Sequence, residues 1–108
     1  MLYELTIITP ESATEVDIEQ LERVIRRYAT EIGKKEDDGV KRLPYPIQGH
    51  ARGHYLYYEI YLTQGKPQEL SSELNINDTA LRYLLVKSDI RYRGKYIKKG
   101  VTNDNDTI

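Results

Sequence analysis

The sequence predicts an α+β fold in which strands and helices follow the order β-α-β-β-α-β. Three observations support this prediction: an alternating strand at residues 2–9, an amphipathic helix after it, and a hairpin of extended segments at 40–47 and 54–63. A weaker helix and a last strand follow. Sequential packing with right-handed crossovers then gives a four-stranded antiparallel sheet with two helices on one face, the ferredoxin-like arrangement.

The first strand places Tyr3, Leu5 and Ile7 on one face and ends at Pro10. Ser12, followed three residues later by Glu15, fits a capping box and predicts the start of the first helix. The apolar residues of this helix recur at helical spacing and form one stripe: Ile18, Leu21, Val24, Ile25, Tyr28 and Ile32. Gly33 is the predicted left-handed stop of the helix.

The hairpin has a strand with two prolines and a strand rich in tyrosine. Because Pro44 and Pro46 cannot donate ladder hydrogen bonds, we expect the strand at 40–47 to lie at a sheet edge. A loop at 48–53 joins it to the next strand. Alternation in that strand predicts two faces. Leu56, Tyr58, Ile60 and Leu62 are expected beneath the helices, and Tyr55, Tyr57, Glu59 and Tyr61 on the open side.

The rest of the fold is short. A helix runs from about Pro67 through Leu74, and a last strand runs from Thr79 to Lys87. Residues 1–88 are therefore expected to form the domain, and residues 89–108 a basic-aromatic and then polar tail. From Thr102 onward we expect neither regular structure nor function.

Composition limits the possible functions. The 108 residues include no cysteine, which excludes disulfides, thiolate metal sites and cysteine nucleophiles. No apolar run approaches the ~20 residues of a membrane helix, and the N-terminus lacks a signal pattern, so a cytoplasmic location is expected. Residues 1–88 hold 11 Lys and Arg against 14 Asp and Glu. An RNA-binding role must therefore depend on local patches of charge.

Four short motifs in order resemble the bacterial small-subunit ribosomal protein S-six family. They are Tyr3-Glu4, then Lys41-Arg42-Leu43 with Tyr45-Pro46-Ile47, then Gly53-His54-Tyr55-Leu56-Tyr57-Tyr58, and last Glu73-Leu74 running on to Leu84-Leu85-Val86-Lys87. The similarity covers about residues 2 to 88. It implies a ferredoxin-like, non-enzymatic protein of the cytoplasmic ribosome that needs no cofactor. The family binds the central domain of small-subunit ribosomal RNA together with ribosomal protein S-eighteen.

The resemblance also implies roles for individual residues. Its RNA-binding candidates are Tyr3, Lys41, Arg42, Arg82 and Lys87, and its candidates for contact with the partner protein are Tyr45, Tyr55 and Tyr57. Tyr61 joins the second group because it shares the open face, where a row of exposed aromatic residues is typical of a contact surface. Sheet propensity also favours tyrosine, which is the simpler explanation of the row.

The segment at 91–99 interleaves cations with tyrosines. Arg91, Arg93 and Lys95 therefore join the RNA-binding candidates, because such segments can follow a phosphate backbone. A solubilising tail remains the other interpretation.

Two other functions and a metal site fit the sequence less well. Residues 52–57 resemble the start of the RNP1 pattern of an RNA-recognition motif, but Leu56 stands where an aromatic residue is needed. A small acylphosphatase would need an arginine in an N-terminal phosphate loop, whereas residues 9–12 are acidic and lack glycine. His50 and His54 are four residues apart, yet a third metal ligand is not near them in the sequence, so we expect no metal.

Overall fold

The computed structural model describes residues 1–88 and the short strand at 101–103. Its elements are β1 (Leu2–Pro10), α1 (Glu15–Tyr28), β2 (Glu31–Ile47), β3 (His50–Tyr61), α2 (Lys66–Asn75), β4 (Arg82–Lys87) and β5 (Val101–Asn103). Neither helix in these residues is long and apolar enough to cross a membrane.

The strands form one sheet in the order β2-β3-β1-β4-β5. The first four pair antiparallel, which confirms the predicted ferredoxin-like sheet, and β2 lies at its edge as Pro44 and Pro46 predicted. β5 pairs parallel with β4 at the other edge. The expectation of no regular structure from Thr102 onward is therefore wrong for Thr102 and Asn103, whose backbones extend the sheet beside Leu85 and Val86.

The main core lies between the sheet and the two helices. It confirms the predicted alternation of β3, because the residues expected beneath the helices are all buried there: Leu56, Tyr58, Ile60 and Leu62. The stripe of α1 supplies Leu21, Val24 and Ile25, while Ile18 and Tyr28 pack at the margin of the core. Ile32 also packs there, but it lies in β2, so its predicted place on the helix is wrong. Burial of these side chains is the main force that holds the helices on the sheet.

Helix α1 differs from the prediction at both ends. Its N-cap is Thr14, whose side chain accepts a hydrogen bond from the Asp17 amide while the Asp17 carboxylate accepts one from the Thr14 amide. The capping box predicted at Ser12 is therefore displaced by two residues. The helix ends at Tyr28, and Gly33 lies within β2, so the predicted glycine stop is wrong.

The hairpin is longer than predicted. β2 begins at Glu31, not at residue 40, and β-bulges at Gly33 and Asp38 interrupt its pairing with β3. These bulges break the period-two pattern that reveals a strand in a sequence. β3 begins at His50, and the predicted loop shrinks to a turn in which Gln48 and Gly49 both have positive φ. β4 also starts late, at Arg82.

A second, smaller core lies at one end of the open sheet face. The end of the hairpin bends over this face, so that Leu43 and Ile47 of β2 pack against Ile8 and Leu81, with Tyr55 beside them. Gly53 permits this close approach, because a Cβ there would lie 2.5 Å from Cγ2 of Ile8. The open face is thus partly covered at this end.

Candidate nucleic-acid interface

Strand register arranges the open face in rows. Tyr55 lies opposite Ile8, which lies opposite Arg82 on the next strand. Two strand spacings, or about 10 Å, therefore separate the backbones of Tyr55 and Arg82. Tyr57 and Tyr61 follow along the same face of β3, two and six residues beyond Tyr55.

Lys41 reaches this row from β2. Its Nζ lies 5.1 Å from the centroid of the Tyr55 ring, which is a cation–π contact. Tyr55 is half-buried, and burial raises the pKa of its hydroxyl. Lys41, Tyr55 and Arg82 thus gather one aromatic ring and two cations at the same end of the open face.

Arg42 lies on the other side of β2 from Lys41. The register pairs Lys41 with Gly53 and Arg42 with Arg52, so the two cations point to opposite faces, as neighbours on a strand must. Arg42 lines a cleft of about 300 Å³ with Pro44, Tyr45 and Pro46. Tyr45 is 58% exposed between the two prolines. This cleft sits at the tip of the hairpin.

The middle of the open face is less exposed than the alternation suggested. Tyr57 is half-buried, and its hydroxyl donates a hydrogen bond to Oε2 of Glu59 at 2.9 Å. Glu59 lies opposite Glu4, which is 8% exposed. Tyr61, at the far end of the strand, is 39% exposed. Of the open-face tyrosines of β3, Tyr61 therefore offers the most accessible surface.

Tyr3 and Lys87 form a separate group. They lie opposite each other on β1 and β4, on the helix side of the sheet, and line a cleft of about 400 Å³ near Met1 and Gly65. Tyr3 is buried in the main core. Lys87 is five residues along β4 from Arg82, about 17 Å, and faces the opposite side. The RNA-binding candidates are therefore divided between two places.

The ion pairs of the described residues separate the cations into two sets. Six of the eleven Lys and Arg in residues 1–88 have a carboxylate partner: Arg26, Arg27, Lys34, Lys35, Arg52 and Lys66. The remaining five form no ion pair within this part of the chain. They are Arg23 and the four candidates Lys41, Arg42, Arg82 and Lys87. The remaining RNA-binding candidates, Arg91, Arg93 and Lys95, lie outside the described residues.

Sequence reasoning missed one polar contact beside this interface. Oδ1 of Asp37 lies 2.6 Å from Nε2 of His54 and also accepts a hydrogen bond from the Gly39 amide at 2.9 Å. The bond from His54, followed by that from Gly39, lowers the pKa of the Asp37 carboxyl, although its partial burial opposes this shift. In an Asx turn, an aspartate side chain accepts a hydrogen bond from the backbone amide two residues later. The sequence Asp37-Asp38-Gly39 is typical of such a turn and could have indicated the bond from Gly39.

The acidic residues at 36–38 lie in β2. His54 is engaged by Asp37, and within the residues that the structure describes no three His, Asp or Glu side chains are grouped to hold a metal ion.

Comparison with known proteins agrees with the motifs. The family model described as Ribosomal protein S6, which is the S-six family, matches residues 2–87. The small ribosomal subunit protein bS6 of Thermus thermophilus is 30% identical over 90 residues, covering 80% of this chain and 89% of that protein. Its counterpart in Chlamydia abortus is 36% identical over 89 residues, covering 81% of this chain and 78% of that protein.

A solved structure is similar in fold. The crystal structure of 30S ribosomal protein S6 from Thermotoga maritima superposes with a TM-score of 0.68 at 20% identity. The match covers 78% of this chain and 83% of that one. The motifs, the fold and the family match agree, and the chain belongs to the ribosomal protein S6 family.

Proposed function

We propose that this chain is a structural component of the small ribosomal subunit. It binds the central domain of small-subunit ribosomal RNA together with ribosomal protein S-eighteen, it acts in the cytoplasm on the ribosome, and it catalyses no reaction. Family membership supports the placement in the small subunit. The RNA, the partner protein and the absence of catalysis are parts of the proposal.

The distribution of ion pairs is the observation that supports RNA binding most directly. Four cations on strands and at strand ends are left without a carboxylate in residues 1–88, although this part of the chain has more acidic than basic residues. Phosphate oxygens would supply the missing negative charge. Lys41 and Arg82 lie at the same end of the open face, so one RNA segment could contact both, whereas Arg42 would meet a phosphate on the other side of β2.

The open-face tyrosines support contact with a protein. Tyr55, Tyr57 and Tyr61 line one strand, and Tyr45 stands exposed at the hairpin tip. Tyrosines combine a large apolar area with a hydroxyl, and they are enriched at protein interfaces for this reason. An RNA-recognition motif would need these rings open for base stacking, whereas Lys41 occupies one side of the Tyr55 ring. We therefore favour the protein partner for this strand.

Filter binding to a central-domain RNA fragment, with and without ribosomal protein S-eighteen, tests the proposal. We expect weak binding by the chain alone, because its net charge of −1 provides little general attraction to phosphate. The partner should make binding much tighter. Equal and tight affinity in both cases would contradict the proposal.

A matched pair of variants tests the role of the cations. Replacing Lys41 and Arg42 together by alanine should weaken the salt dependence of RNA binding. The plot of the logarithm of the association constant against the logarithm of the salt concentration should become shallower, with a slope smaller in magnitude by about 1 to 2. Replacing Arg26 and Lys35, which pair with Glu22, should leave the slope unchanged. Similar effects of the two double variants would argue against specific phosphate contacts by Lys41 and Arg42.

A further inference from the structure

The bulge at Asp38 decides which face of the sheet the end of β2 presents. Asp37 lies opposite Leu56 and Gly39 opposite Tyr55, so Asp38 is an extra residue without a partner on β3. Gly39 has φ +83°, a left-handed conformation typical of a glycine in such a bulge. One inserted residue exchanges the two faces of a strand for every side chain that follows it.

The exchange determines where Lys41 lies. With the bulge, Lys41 lies opposite Gly53 on the open side, with its ammonium group over the Tyr55 ring. The bulge also directs the side chain of Leu43 toward the second core, where it packs against Ile8. Regular pairing from Asp37 onward would instead turn Lys41 toward the helix side of the sheet and remove it from Tyr55.

The Asp37 carboxylate bridges this bulge. One oxygen, Oδ1, accepts a hydrogen bond from the Gly39 amide on the far side of the extra residue and one from His54 Nε2 on the neighbouring strand. The first bond holds the local turn, and the second ties it to β3. His54 is well placed for this role, because it pairs with Val40 immediately after the bulge.

We propose that Asp37 and His54 are positioning residues, and that their hydrogen bond fixes the bulge which places Lys41 over Tyr55. The inferred importance of this placement for RNA binding rests on the function proposed above. The Asp37 side chain is 60% exposed, and exposed ion pairs contribute little to overall stability. The effect of the pair should therefore appear in the local geometry of the hairpin end.

Nuclear magnetic resonance can observe that geometry directly. Aliphatic protons held over an aromatic ring are shifted upfield, so the ε-methylene protons of Lys41 should resonate upfield in the native protein and return to their ordinary position in Tyr55→Leu. Asp37→Ala and His54→Ala should each lose most of this shift. Asp37→Asn and His54→Gln should retain most of it, because each keeps an acceptor or a donor in the same place.

Two control variants separate the bond from a general effect of substitution. Asp38→Ala changes the neighbouring carboxylate, and His50→Ala changes the other histidine; both should keep the upfield shift. The proposal is overturned if Asp37→Ala and His54→Ala keep the shift, since packing of Leu43 would then be sufficient to hold the register. It is also overturned if Asp37→Asn and His54→Gln lose the upfield shift.

A binding measurement tests the link to function. Asp37→Ala should weaken binding to the central-domain RNA, in the presence of the partner protein, by the same factor as Lys41→Ala. The double variant should be no weaker than either single variant. Loss of the upfield shift with unchanged RNA affinity would overturn the link. If the native protein binds no RNA, the proposed function fails, while the resonance of Lys41 still decides the positioning role.

Discussion

The hydroxyl of Tyr58 donates a hydrogen bond to Oε2 of Glu22 at 3.1 Å, so that a core tyrosine of β3 reaches across to the surface of α1. Tyr58 is fully buried, and burial, followed by the charge of Glu22, raises the pKa of its hydroxyl. Glu22 also pairs with Lys35 of β2 at 3.2 Å. One carboxylate thus joins a helix, a core strand and an edge strand.

Substitutions at Tyr58 should separate the ring from its hydroxyl. Tyr58→Ser should lower the free energy of unfolding by about 3 kcal/mol or more, because it leaves a cavity in the main core. Tyr58→Phe keeps the ring and should cost only about 0.5–1.5 kcal/mol, since Glu22 retains its cationic partners. Urea denaturation of the two variants measures both values. Equal costs would mean that the hydrogen bond, and not the packing of the ring, dominates.

The open-face tyrosines should behave in the opposite way. Replacing Tyr55 and Tyr57 by serine should lower the free energy of unfolding by about 1–2 kcal/mol, near the upper value because Tyr55 packs on the second core. Binding to the partner protein should weaken by about 2–4 kcal/mol, as for aromatic anchors of an interface. Thermal melts and titration calorimetry provide the two readouts, with Tyr58→Phe as the control. Unchanged partner affinity would remove this strand from the proposed interface.

Several elements of the fold could be predicted because their periodicity is local. The alternation of β3 correctly predicted which of its residues lie beneath the helices, and the apolar stripe of α1 correctly predicted Leu21, Val24 and Ile25 in the core. The predicted helix start was two residues too early, because Ser12 with Glu15 and Thr14 with Asp17 have the same spacing of a capping box. Side-chain chemistry alone does not decide between them.

The features that were missed depend on register. β2 lost its alternating pattern at the bulges, so its first half was not recognised as a strand. The contact between Asp37 and His54 joins residues 17 apart in the sequence, and it exists only once the bulge has set their pairing. The division of the candidate cations also followed from register, since Arg82 and Lys87 lie on opposite faces of one strand.

Acid should weaken the Asp37 contact in a defined pH range. The folded-state pKa of this carboxyl lies below its ordinary value of 3.8, so its contribution to stability is complete above that value and is lost as pH falls through the folded pKa. Asp37→Asn cannot titrate. Below about pH 4 the native protein should therefore lose more stability than Asp37→Asn. Denaturation curves from pH 2 to 7 measure this, and parallel curves throughout would contradict the pKa shift.

Gly53 should tolerate no side chain. A Cβ at this position would meet Cγ2 of Ile8 at 2.5 Å, the Thr9 carbonyl oxygen at 3.2 Å and Cδ2 of Leu43 at 3.3 Å. Gly53→Ala should therefore lower the free energy of unfolding by about 1–3 kcal/mol through overpacking of the second core. Gly33→Ala is the comparison, because the nearest atom there, at 3.3 Å, belongs to the Tyr61 ring, which can move. A thermal melt of each variant suffices, and similar melting temperatures would mean that the hairpin end adjusts freely.

Removing residues 89–108 should leave the fold intact, because the four antiparallel strands and both helices are complete by Lys87. The loss of β5 removes three residues that pair with β4, so we expect a lower melting temperature with an unchanged circular dichroism signature of the α+β domain. Assembly should suffer more, since the truncation deletes Arg91, Arg93 and Lys95. Sedimentation of the truncated protein with small subunits measures assembly.

A second variant, in which glutamine replaces Arg91, Arg93 and Lys95 in the full chain, distinguishes loss of charge from loss of β5. Normal assembly of both would show that this segment contributes no contact with RNA, and an unfolded truncation would show that residues 1–88 are not a complete domain.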